Sequence, residues 1–137
     1  MIKKISPDKE RAKSLFKMAV ESEKSRKKIF SIFANDEDQT MLAQNYYEAI
    51  RQLILSLMLF DGFKTWGENA HRETINYLKK YKEFTTQEIA VLQDLRMRRN
   101  RGMYEGKFIR KPYLENNKEK LEMIIKKLKG ISEGRLG

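Results

Sequence analysis

Apolar residues recur every three or four positions along most of this chain, and that spacing commits it to helices. The clearest stripe is Tyr46, Ile50, Leu53, Leu57 and Phe60, widened by Leu42, Ile54 and Met58. A helix that is apolar on most sides has to be surrounded, so residues 43–60 are expected to form the central element. The only two prolines, Pro7 and Pro112, lie outside the strongest periodic segments, and no stretch combines two-residue alternation with hairpin chemistry. The pattern predicts an all-α fold, an antiparallel bundle of four to five helices. Heptads are not held in one register long enough for a long coiled coil.

Capping chemistry marks the element ends. Ser6-Pro7 reads as an N-cap serine followed by proline at the first helical position. The first helix carries Ala12, Leu15, Phe16 and Ala19, then Ile29, Phe30 and Phe33, with Ser22 and Arg26 between them at the same spacing. Arg26 is expected to snorkel at the edge of the bundle; the alternative is a polar groove shared with other arginines. Asn35-Asp36-Glu37-Asp38 separates the first two helices and supplies caps for the second, which Asp61-Gly62 stops. Residues 63–69 read as a loop, 70–81 as a short helix with Ile75 and Leu78 inward. Thr85 and Glu88 match a capping box for a fourth helix bearing Ile89, Leu92 and Leu95, with Gly106 as its C-cap. Residues 107–117 read as a basic linker, and 118–129 as the last helix with Leu121, Ile124, Ile125 and Leu128 on one face.

The 137 residues suffice for one domain with a real core, here spanning about 7–129, with 130–137 expected to fray. At 40% hydrophobic and 35% charged, the composition fits neither disorder nor a membrane protein, and no apolar run approaches bilayer length. No signal peptide is expected. The absence of cysteine removes disulfides and thiolate chemistry and is compatible with the cytoplasm, the expected location. A net charge of +10 favours polyanionic partners.

That charge is concentrated in Arg96, Arg98, Arg99 and Arg101, near the end of the fourth helix. A helix end needs one or two cations, and the planar guanidinium suits phosphate better than lysine does. Spacing from Leu92 and Leu95 places Arg99 on the inward stripe. It either binds phosphate there or pairs with Glu48 or Asp94. The chain has a single histidine, His71, and neither a phosphate-binding glycine loop nor an HExxH zinc motif, so no metal site and no cofactor are expected. His71 falls in the first turn of a helix, where the dipole disfavours its charged form; it reads as a packing residue, with a site role as the alternative.

The segment Leu92-Gln93-Asp94-Leu95-Arg96-Met97-Arg98-Arg99-Asn100-Arg101-Gly102-Met103-Tyr104 resembles the signature region of HEPN domains, helical nucleotide-associated proteins. In that family an arginine followed by a polar residue precedes a histidine a few positions on. Arg99-Asn100 matches the start. Residues 43–60, Asp61-Gly62 and Ala70-His71-Arg72-Glu73-Thr74-Ile75 resemble the family's central helix, glycine turn and third helix, so the resemblance covers about 43–106. It departs at the closing histidine, where Tyr104 makes the motif Arg-x4-Tyr.

The resemblance implies a dimer that binds RNA or nucleotide phosphate through Arg99, Asn100 and Tyr104, with Arg99 on the phosphate, Asn100 orienting it, Tyr104 donating a hydrogen bond or stacking on a base, and Arg96, Arg98 and Arg101 as positive surround. It also implies a minimal nucleotidyltransferase as partner in a toxin–antitoxin pair. Active members cleave RNA without metal, pairing arginine and histidine across a dimer cleft; here Arg99 and Tyr104 would hold those catalytic positions. Tyrosine titrates near 10 and is a poor base at neutral pH, so binding is favoured over cleavage. Two alternatives stand beside that reading: a metal-independent ribonuclease in which His71 or water moves the proton, and a protein-docking module with no nucleic-acid role.

Overall fold

Leu53, Ile54, Leu57, Met58, Leu59 and Phe60 cover the whole circumference of one helix, and all six are buried. The computed structural model describes residues 1–136, and the other elements gather around that helix. In chain order they are β1 (Ile2–Lys4), α1 (Lys9–Phe33), α2 (Thr40–Asp61), β2 (Phe63–Thr65), α3 (Ala70–Asn76), α4 (Thr86–Glu105) and α5 (Lys111–Leu136). A 3₁₀ turn, Tyr77–Lys80, follows α3. The central helix is α2; it contacts α1, α3, α4 and α5. The fold is an all-α helical bundle. Among the described residues no helix is long and apolar enough to cross a membrane.

The closest pair is α1 with α2. Ala12 is fully buried and lets the backbones approach, so the Ser56 hydroxyl on α2 donates to the Ala12 carbonyl at 2.6 Å. That bond accounts for a serine in the middle of the most apolar run. Gln39 is the N-cap of α2, and Asp38 before it accepts from the Thr40 amide at 3.1 Å and the Thr40 hydroxyl at 2.7 Å. The Thr85–Glu88 capping box forms as expected, and Gly62 and Gly106 end α2 and α4 in the left-handed region.

Four expectations need correction. A two-stranded ribbon joins the helices: β1 runs antiparallel to β2 with Ile2 opposite Thr65 and Lys4 opposite Phe63. Strands of three residues are too short to display an alternating pattern, and these lie far apart in sequence. The same pairing moves the start of α1. The amides of Ile5 and Asp8 donate to the carbonyls of Gly62 (2.8 Å) and Leu59 (3.1 Å), so residues 5–8 cross the end of α2 in extended form. The N-cap is therefore Asp8, which accepts from the Arg11 amide, and Ser6-Pro7 lies outside the helix. Gly62 is required at the crossing: its φ is +83°, and a Cβ there would sit 2.8 Å from the Ile5 carbonyl oxygen.

The last helix is longer than 118–129 at both ends. Pro112 is its second residue, where the missing amide costs no helical bond, so most of the expected linker is helix. Its far end does not fray at Gly130 or Gly134, because Ser132 is buried and Arg135 reaches Asp61. Arg26 does not snorkel. It is 1% exposed, donates to Glu122 at 2.9 Å, lies 4.0 Å from Glu23 and stacks 4.1 Å from the Tyr46 ring centre. It belongs to the α1–α5 seam, away from the other arginines.

Asp61, the last residue of α2, ties two distant segments, the 3₁₀ turn and the end of α5. Its carboxylate accepts from the hydroxyls of Tyr77 (2.6 Å) and Tyr81 and from Arg135 Nε (3.1 Å). Burial pulls the Asp61 carboxyl up, but these donors outweigh it and hold it below the ordinary carboxylate range. A lowered folded pKa means that the unfolded chain takes up the proton first as pH falls. The Asp61 contribution is therefore complete above about pH 4 and is lost as pH drops through the folded value. Asp61→Asn is expected to cost about 1–3 kcal/mol at pH 7 and to flatten the acid limb of the stability curve, both read by urea unfolding at several pH values. An unchanged acid limb would remove Asp61 as the source.

Candidate functional site

One ridge of α4 carries Arg96, Asn100 and Tyr104 at intervals of four, with Arg99 beside them. That ridge faces the start of α3, and between them lies a cleft of about 290 Å³ lined by Arg96, Arg99, Asn100, Tyr104, His71 and Arg72, with Glu68 and Asn69 at its edge. Arg99 is half-buried at the floor, and Tyr104, 80% exposed, stands at the rim. The helix continues past Gly102 to Glu105, and Arg99 and Tyr104 nonetheless line one cleft.

The supports come from α2. Arg99 Nη2 donates to Glu48 Oε1 at 3.3 Å, and Arg99 Nη1 donates to Asn100 Oδ1 at 3.4 Å. The guanidinium also lies 5.5 Å from the ring centre of Tyr47, which is buried. Arg51 approaches the other oxygen of Glu48 at 3.5 Å, so two arginines share one carboxylate. Arg96 is oriented from its own helix: its Nε donates to Gln93 Oε1 at 2.8 Å, and Gln93 Nε2 donates to the Arg72 carbonyl at 3.0 Å and Asn76 Oδ1 at 3.1 Å. Gln93 thereby fixes the ridge of α4 against α3.

Arg98 and Arg101, expected among the phosphate-binding residues, lie elsewhere. Arg98 donates to Asp94 at 2.8 Å and stacks 4.5 Å from the Tyr113 ring, towards α5. Arg101 is exposed outside the cleft lining. At about 100° per residue, neither position shares the Arg96–Asn100–Tyr104 ridge. Of the two acidic partners considered for Arg99, Glu48 is used and Asp94 serves Arg98.

His71 was expected chiefly to pack, and it does so while also lining the cleft. Its ring lies 6.1 Å from that of Tyr47 at 19°, and Nδ1 is 2.9 Å from the Tyr47 hydroxyl. Burial holds the His71 imidazolium down, Arg51 and Arg99 push the same way, and Glu48 opposes them without prevailing. The ring is thus neutral at pH 7. Burial likewise raises the Tyr47 hydroxyl, so it stays protonated. Tyr47, Arg51 and Arg72 were not singled out in the sequence; the available signal was the four-residue spacing of Tyr47 and Arg51 on the side of α2 that Arg99 meets. Among the described residues no three histidine, aspartate or glutamate side chains gather as metal ligands.

Comparison with family models, with curated proteins and with solved structures finds no match for this chain.

The lone histidine reports directly on this field. Its NMR titration is expected to give a pKa below 6.5 in the free protein and lower still in Glu48→Gln, which removes the one opposing carboxylate. Because the folded value is depressed, the unfolded state binds more protons just below pH 6.5, and His71 makes stability decline as pH falls through that window. A value at or above 6.5 would contradict the geometry.

Proposed function

We propose that this is a HEPN-like protein that binds RNA or nucleotide phosphate through the cleft between α3 and α4, acting as a dimer and paired with a minimal nucleotidyltransferase. The observation that carries the binding reading is the convergence of Arg72, Arg96, Arg99 and Asn100 on one cleft whose floor arginine shares its only carboxylate. A planar guanidinium with unsatisfied donors takes a phosphate through paired hydrogen bonds. Asn100 adds a neutral donor, and Tyr104 at the rim offers a hydroxyl and a ring face. The dimer and the nucleotidyltransferase rest on the resemblance alone.

A second reading is favoured by the position of His71. A neutral imidazole in the same cleft as Arg99 presents a ring nitrogen that can accept a proton. On that reading the protein is a metal-independent ribonuclease in which Arg99 stabilises the phosphate and His71 accepts the 2′-hydroxyl proton.

Both readings meet in one assay, binding and cleavage of a labelled single-stranded RNA in EDTA. Arg99→Ala is expected to weaken binding by about tenfold or more, and Lys120→Ala, an exposed α5 lysine, by about twofold. Rising salt should weaken wild-type binding steeply. Cleavage lost in Arg99→Ala and His71→Gln would establish the nuclease. Equal losses in Arg99→Ala and Lys120→Ala would mean diffuse attraction without a site, and no RNA affinity would shift the function to protein docking.

A further inference from the structure

On the other side of His71 from the arginine cleft lies a second cavity, about 250 Å³, between α1, α2, β2 and the start of α3. Its character is different. Leu15, Leu55, Leu59 and Phe63 give it an apolar part, and Arg11, Arg51 and Lys64 line it as well, with Arg51 shared between this cavity and the Glu48–Arg99 bridge. His71 lines both cavities. One imidazole is therefore common to a partly apolar chamber and a cationic cleft.

We infer that the two cavities together hold one nucleotide unit, with the base in the apolar chamber and its phosphate on Arg96 and Arg99. This rests on the phosphate-binding reading of the cleft and adds to it what recognises the rest of the ligand. A nucleotide is the ligand class that joins a flat ring with apolar faces to an anion across a short linker. The chamber has room for one base and is smaller than a drug-sized pocket. Phe63 and the imidazole of His71 offer ring faces on which a base stacks without regard to its identity.

One polar group in the chamber adds direction. Thr74 Oγ1 donates its only proton to the Ala70 carbonyl at 2.8 Å. The 2.9 Å bond between Thr65 and Thr74 must then use the Thr65 proton, which leaves the Thr65 oxygen as an acceptor only. Thr65 lines the chamber and would take an N–H from the base edge. The same chemistry is presented by a free mononucleotide and by an unstacked residue of single-stranded RNA.

Calorimetry at low salt with inorganic phosphate, ribose 5-phosphate, adenosine and uridine 5′-monophosphates, and a tetraribonucleotide with and without one abasic position tests this. The nucleotides are expected to bind about tenfold tighter than ribose 5-phosphate, the gain of one stacked base. Ala70→Phe, which fills the chamber from the first residue of α3, should erase that preference and leave phosphate binding unchanged. Thr65→Val keeps the branched shape and should weaken nucleotide binding several-fold with phosphate again unaffected. A tetranucleotide that outbinds the mononucleotides and suffers from the abasic position identifies RNA as the source; mononucleotides that bind as well identify free nucleotide. Phosphate binding that needs Arg99, with nucleotide and ribose 5-phosphate equal, would overturn the base chamber and leave the cleft standing. Absence of both phosphate and nucleotide binding would overturn the cleft reading itself.

Discussion

Because α2 is enclosed on nearly every side, several of its polar side chains lie in the interior, and these become joints between elements. The Tyr46 hydroxyl donates to Glu122 on α5 at 2.6 Å, and burial together with that bond raises its pKa. Ser56 fastens α1 through the Ala12 carbonyl, and Asp61 gathers the 3₁₀ turn, Tyr81 and the end of α5. Tyr47 reaches His71 on α3. A buried hydroxyl or carboxylate without a partner is costly, so each joint fixes the position of the element it meets. The candidate site is a consequence of the last joint: Tyr47 sets His71, and the α3–α4 cleft forms around it.

Charge balance separates the buried arginine from the functional candidates. Arg26 has two carboxylates near it, Glu23 and Glu122, and an aromatic face; Lys129 lies 3.0 Å from Glu23 as well. That group surrounds a buried guanidinium with carboxylates, as an arginine in the interior requires. Around the cleft, Arg51, Arg72, Arg96 and Arg99 face only Glu48 and Glu68. The surplus is positive, and it lies where solvent enters. The same residue type at similar helical spacing thus has two roles, distinguished by what the neighbouring helices contribute.

That distinction explains what was legible in the sequence. Helix ends governed by local chemistry were readable: the Thr85–Glu88 box and the glycines at 62 and 106 act within a few residues of themselves. Arg99 could be placed on an inward face because Leu92 and Leu95 set the phase. Features decided by distant partners were not readable. Arg26 looks like an edge residue until α5 supplies Glu122, and Gly130 and Gly134 look like helix breakers until Arg135 meets Asp61. The location of His71 beside Arg99 depends on how α3 turns back onto α4, a relation that no local pattern encodes. Conversely, the spacing of Arg96, Asn100 and Tyr104 is present in the sequence and points away from Arg98 and Arg101, although four arginines within six residues look like one cluster.

On the phosphate-binding reading, the pairing of Arg99 has a further meaning. Its bonds to Glu48 and Asn100 are long, 3.3 and 3.4 Å, and Glu48 remains beside Arg51 at 3.5 Å if Arg99 turns towards an anion. Removing an arginine from its only carboxylate would normally leave that carboxylate uncompensated in a partly dry site. Here the second arginine absorbs that cost. The shared carboxylate holds Arg99 in a defined orientation through a long bond that competes weakly with a phosphate. An incoming phosphate also offsets the push of the arginines on His71, because negative charge beside the ring favours the imidazolium that Arg51 and Arg99 oppose. Anion entry and proton uptake on His71 are therefore thermodynamically linked, through the arginines that add to burial in disfavouring the imidazolium.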